Sequence, residues 1–168
     1  MGGKAGARHR FAPGQARIAG DAVSETTREE DGMIVGILSD SHDNLDALRK
    51  AVDLFNTRGV GLVIHAGDLV APFVQRALSG LEAPLVMVFG NNDGERLGLA
   101  RTFEGKIFTA PHRLEVEGKK VLILHEPHNL DAIRVSGLFD LVVYGHTHEV
   151  EVSREGRTLV VNPGECGG

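Results

Sequence analysis

Apolar positions along the chain fall into two alternating registers. Short, mainly apolar runs occur at residues 33–39, 62–66 and 85–89. Each is bounded by polar residues, glycine or proline, the pattern of a strand buried on both faces. Between the first two runs, Leu45, Leu48, Val52 and Phe55 recur at helical spacing, and Asp43 or Asn44 stands where a cap is needed. Gly59 and Gly61 end that helix, and Pro72 suits the first turn of a short one reaching Ala77 and Leu78. Residues 94–103 carry only a weak helical pattern. Residues 113–117 and 121–124 read as strands around a turn at Gly118, and 129–135 as a helix. Residues 141–144, 150–153 and 158–161 read as strands, the last two flanking a Glu155-Gly156 turn. Strand–helix alternation followed by hairpins predicts an α/β layered sandwich with mixed sheets.

The first 32 residues break this pattern. They are rich in Gly, Ala, Arg and Glu, and their basic residues precede their acidic ones. So little apolar surface cannot offset the entropy of ordering, so residues 1–32 read as a disordered extension and 33–168 as one folded domain. Met33 is the alternative start, because the folded pattern begins there. No hydrophobic stretch of the ~7–15 residues of a secretory signal is present, and no run approaches the ~20 of a membrane span. The single cysteine, Cys166, excludes an internal disulfide and suits a reducing cytoplasm. A net charge of −5 argues against a protein that coats nucleic acid, though not against a small anionic substrate, since bound cations invert the local sign.

Metal-type residues cluster just after the buried runs, at the edge where open α/β sheets bind ligands. In order they are Asp40-Ser41-His42, Gly67-Asp68, Gly90-Asn91-Asn92-Asp93, His125 and Gly145-His146-Thr147-His148. In extended chain, residues two apart face the same way, so Asp40 with His42, or His146 with His148, can converge on one ion. Glycine before Asp68, Asn91 and His146 permits close backbone approach. Each element alone has a bland reading: a helix cap and a surface histidine for Asp40 and His42, turn residues for Asp68 and Asn91, a buried strand-end histidine for His125. All five in this order and context do not.

In these blocks the sequence resembles the calcineurin-like metallophosphoesterases, whose motifs run Asp-x-His, Gly-Asp, Gly-Asn, His and Gly-His-x-His. Asn162-Pro163-Gly164 and the non-histidine after Gly90-Asn91 resemble the small bacterial and archaeal phosphodiesterase branch. The resemblance spans residues 33–164. It implies an α/β/β/α sandwich and two divalent cations. One would take Asp40, His42, Asp68 and His148, and the other Asp68, Asn91, His125 and His146, with Asp68 bridging. Asp68, Asn91 and His125 are the implied catalytic residues. The implied reaction is hydrolysis of a phosphodiester, or a phosphomonoester, by metal-bound hydroxide. Carboxylate, imidazole and amide donors without thiolate favour Mn²⁺, with Fe²⁺, Zn²⁺ or Ni²⁺ as the other candidates.

The resemblance also sets the alternatives. A non-catalytic protein-binding scaffold, like the metallophosphoesterase-like subunit of retromer, would keep the fold without the reaction. A nuclease of the family would carry an extra capping domain. The expected partner is a small phosphoester; a membrane and a large nucleic acid are not expected, and a homo-oligomer is left open. Asn92 stands where many relatives carry a histidine that assists the leaving group and that Asp93 would orient. The chain stops soon after the Asn-Pro-Gly block, which reads as a truncated end with Cys166 as a tail residue. His65 reads as a core or supporting residue, His128 as a substrate contact, and His9 and His112 as tail or surface residues. Specificity is expected from residues 70–76, 94–101 and 126–131, where no aromatic cage or basic cluster marks a base or polyphosphate.

Overall fold

The computed structural model describes residues 32–167 and the two-residue strand β1 (Arg17–Ile18). The disordered extension expected over 1–32, and His9 within it, otherwise lie outside the described residues.

The elements follow the alternation seen in the sequence. β2 (Ile34–Leu38), α1 (Leu45–Thr57), β3 (Leu62–His65), a 3₁₀ turn (Pro72–Val74) running into α2 (Gln75–Leu78), β4 (Leu85–Val88), α3 (Arg96–Thr102) and β5 (Ile107–Phe108) form the first half. The second comprises β6 (His112–Val116), β7 (Lys119–Ile123), α4 (Leu130–Ser136), β8 (Leu141–Val143), β9 (Val150–Glu155) and β10 (Thr158–Pro163). The weak pattern at 94–103 is therefore a helix, and β5 was not anticipated. Two residues are too few to show a period.

The first sheet has the order β1-β2-β3-β4-β5 and every pair in it is parallel. The second runs β6-β7-β8-β10-β9 and is mixed, with parallel pairs at its centre and antiparallel hairpins at both ends. A parallel sheet must be covered on both faces. Accordingly, all four residues of β3 are buried. Leu62, Ile64, Val86 and Val88 pack between the sheets against Leu114, Val121, Ile123, Val143 and Val161. On the outer face, Leu38, Val63 and Met87 meet Leu48 and Val52 of α1, Ala77 and Leu78 of α2 and Leu99 of α3. Leu122, Val142, Tyr144 and Val160 of the second sheet pack against Leu130 of α4. The layers are thus α/β/β/α. Of the two proposed caps for α1, Asn44 acts: its Oδ1 accepts the Ala47 N–H at 3.0 Å.

Candidate metal centre

Because β2, β3 and β4 run parallel, the loops leaving their C-terminal ends lie side by side, and β7 and β8 deliver theirs to the same edge from the facing sheet. The two sheets are joined there directly. His125 Nδ1 lies 2.8 Å from the Ala66 carbonyl, and the His146 N–H donates to both oxygens of Asp40 at 3.2 and 3.0 Å.

All seven candidate side chains come together at this edge. His42 Nε2 and His148 Nε2 are 3.2 Å apart, and each faces Asp40 Oδ1, at 3.9 and 3.5 Å. Asn91 Oδ1 is 2.8 Å from His125 Nε2 and 2.8 Å from His146 Nδ1. Asp68 stands between the two groups. Its Oδ2 is 3.8 Å from His42 Nε2, and its Oδ1 is 3.4 Å from His125 Nε2.

The donor chemistry fits divalent cations. Asp40 and Asp68 are fully buried carboxylates with no lysine or arginine paired to them among the described residues. A buried unpaired charge costs several kcal/mol, so such groups pair or bind metal. The His125 ring must place its proton on Nδ1 to reach the Ala66 carbonyl, which leaves Nε2 as an acceptor when the ring is neutral. Asn91 Oδ1 is an acceptor too, so the two need a proton or a cation between them.

The electrostatics follow from this crowding. Burial pushes the Asp68 carboxyl up, but bonds from the His125 ring and from both donors of Asn92 hold it below the usual carboxylate range. Burial pushes His125 down, and the adjacent Asp68 and the Ala66 carbonyl carry it above its ordinary value.

The backbone is strained here. Asp40, His42, Asp68, His146 and His148 all have φ between 41° and 70°, in the left-handed region that non-glycine residues avoid. Val70, a β-branched residue at φ 79°, is held by Asp93, whose Oδ1 accepts its N–H at 2.6 Å while Oδ2 accepts that of Gly90 at 2.6 Å. Asp93 therefore ties the loops after β3 and β4 together and is not free to orient a residue at position 92. Glycine is required for contact at two places. A Cβ at Gly90 would lie 2.1 Å from Asp68 Oδ1, and one at Gly145 would lie 2.0 Å from Ser39 Oγ.

Further side chains support the centre. The Asn92 amide and side chain donate to Asp68 Oδ1 and Oδ2 at 2.8 and 2.7 Å. Asn162 donates to the Gly145 carbonyl and Thr147 Oγ1 and accepts the Gly164 N–H, so the Asn-Pro-Gly block braces the loop carrying His146 and His148. His65 is fully buried, as a supporting residue should be. Its Nδ1 accepts the Gly67 N–H at 3.2 Å, so Nε2 carries the proton toward Ser41 Oγ at 3.0 Å, and burial with the nearby His125 ring pushes its pKa down to about 3.

Two expectations need correction. His112 is not a surface residue: it is half-buried in β6 and its ring stacks on Phe108 at 4.0 Å. Cys166 is not a loose tail residue either, since it packs against the helical side of the first sheet and its N–H donates to Ser39 O at 3.0 Å. His128 is largely exposed and pairs with Glu126.

Comparison with known proteins agrees with this geometry. The calcineurin-like phosphoesterase superfamily domain matches residues 33–168. The phosphodiesterase MJ0936 of Methanocaldococcus jannaschii is 42% identical over 142 residues, covering 81% of this chain and 86% of that protein. A solved structure described as a novel archaeal phosphodiesterase superposes with a TM-score of 0.72 at 39% identity, covering 79% of this chain and 84% of that one. The zinc complex of Vps29 from Entamoeba histolytica shares the fold alone, with a TM-score of 0.54 at 19% identity over 78% of this chain and 73% of that one. The chain belongs to the calcineurin-like phosphoesterase superfamily. The enzyme class expected from its motifs, a metal-dependent phosphoric ester hydrolase, agrees with that membership.

Proposed function

We propose that this protein hydrolyses small phosphodiesters with two divalent cations held by Asp40, His42, Asp68 and His148 on one side and by Asp68, Asn91, His125 and His146 on the other. The observation that carries the reading is Asp68, whose two oxygens turn to different histidine groups. Bound together, two such ions supply a water-derived nucleophile near neutral pH and neutralise charge on the phosphoryl group. The chain's own part is to hold these donors in place. The Ala66 carbonyl fixes the His125 tautomer, the two donors of Asn92 orient Asp68, and the Asp40 carboxylate pins the loop bearing His146 and His148 through the His146 N–H. Such outer contacts typically govern ligand orientation and affinity.

Mn²⁺ is the preferred ion, with Fe²⁺, Zn²⁺ and Ni²⁺ as alternatives, because the donors are hard or borderline and include no thiolate. The lone cysteine suits a reducing cytoplasm, and no described helix is long and apolar enough to cross a membrane. A scaffold built on the same fold would need none of these donors. The deciding experiment is metal analysis of protein purified from Mn²⁺-supplemented medium, followed by turnover of bis(p-nitrophenyl) phosphate. Two equivalents of metal with hydrolysis that is lost on chelation and restored by Mn²⁺ is the expected result. Full folding with neither metal nor turnover would establish the scaffold instead.

A further inference from the structure

Beside Asn91 and His125 the metal edge opens into a cleft of about 800 Å³, within the range of small-molecule sites. It lies between α4, the β6–β7 hairpin and the segment after β4. Its walls include Phe89, Leu122, Leu124, Ile133 and Phe139. Leu138 joins them although 64% of it is exposed. Two guanidinium groups sit over the two aromatic walls: Arg96 is 5.4 Å from the Phe89 ring centre, and Arg113 is 5.5 Å from that of Phe139. Arg96 also donates to the Gly90 carbonyl at 2.9 Å, which couples this wall to the loop that carries Asn91.

We propose that this cleft binds one ester arm of the substrate and favours diesters whose arm carries an aromatic ring system. This rests on the phosphodiesterase reading above. A diester has two arms, and a phosphoryl group held between the two histidine groups sends one of them past Asn91 and His125 into the cleft. Flat apolar walls with guanidinium planes match a ring by burial and stacking, and the two cations complement an anionic diester. A short alkyl arm leaves the same walls in water.

Ala132, exposed on α4 and lining the cleft, provides the test, because Ala132→Trp fills the space without touching a candidate ligand. Diphenyl and dimethyl phosphate are titrated calorimetrically into the full chain with and without Mn²⁺. Diphenyl phosphate should bind roughly tenfold tighter or better, the worth of burying much of a ring. The variant should erase that preference and leave dimethyl phosphate unaffected. Turnover is then measured on p-nitrophenyl diesters whose second arm is methyl, phenyl or 5′-thymidyl, so that all share one leaving group. The ring-bearing arms should exceed methyl by a similar factor in kcat/KM, and the better of the two identifies the ring as simple aryl or nucleobase. Leu138→Lys, at an exposed wall position, should reproduce the loss if Ala132→Trp perturbs the helix. Equal binding of the two diesters, or a preference that survives both variants, overturns the proposal. Ring-selective binding that is sensitive to the variants, without hydrolysis of any diester, keeps the cleft and defeats the phosphodiesterase reading. Hydrolysis without ring preference does the reverse.

Discussion

The two ends of the β-sandwich are made from the same strands and solve different problems. At the end away from the histidines, Gly118 and Gly156 close tight hairpins with φ of 74° and 55°. Asp140 there accepts the Lys120 N–H at 2.8 Å and pairs with Arg157 at 2.5 Å, so its polar groups are satisfied within ordinary surface structure. At the other end two carboxylates are fully buried, and five of the seven candidate ligands hold left-handed backbone. One end is built to close the fold. The other is built to hold acceptor atoms together at a cost to the fold. Stability and activity should therefore separate along the length of the sandwich.

The largest effect is expected at Asp68. Asp68→Asn should cut diester turnover by about 10³-fold or more and weaken both metal equivalents, because in the proposed centre each half would use one of its oxygens. The melting temperature of the metal-free protein should fall modestly, since the bonds that Asp68 accepts from Asn92 and the His125 ring favour its charged form in the fold. Loss of one metal only, seen by calorimetric titration, would remove the bridging role.

A smaller and more selective effect is expected within the centre. Asp40→Ala should weaken chiefly one metal equivalent and His146→Ala chiefly the other, each by at least about 10-fold. Two tight ions in both variants would show that the partition of ligands is wrong.

The smallest effect belongs to the far end. Asp140→Ala should leave kcat/KM unchanged and cost about 1 kcal/mol, roughly 2–4 °C in Tm. Burial pushes the Asp140 carboxyl up, but bonds from Arg157 and the Lys120 N–H bring it below its ordinary 3.8. A folded-state value below the unfolded one stabilises above pH 3.8, and that stability is lost as pH falls through the lower folded value. The Tm of the variant should therefore fall less steeply than that of the wild type on acidification through this window. Parallel curves would mean that Asp140 contributes nothing to the far end.

The candidate centre was legible because each ligand-type residue directly follows a buried apolar run, and parallel strands force such positions to one edge. Asp68, Asn91 and His125 sit just past the ends of β3, β4 and β7, as the runs implied. What was not legible depends on long-range assembly. Asp93 looked like a partner for position 92, but it bonds Val70, 23 residues away. The cleft drew no notice because Phe89, Arg96, Arg113 and Phe139 come from separate segments, and three of them fall outside the loops expected to set specificity. Neither β5 nor α3 was firmly indicated, because a two-residue strand and a seven-residue helix interrupted by Gly98 give little periodic signal.

The left-handed backbone around Asp40, His42, Asp68, His146 and His148 also bears on how such a fold changes over evolutionary time. Residues suited to that conformation, glycine or asparagine among them, relieve backbone strain where they replace a ligand. At these five positions mutational drift away from the ligand set therefore trades lost side-chain bonds against relieved backbone strain. Only continued selection for turnover holds this edge in its costly form.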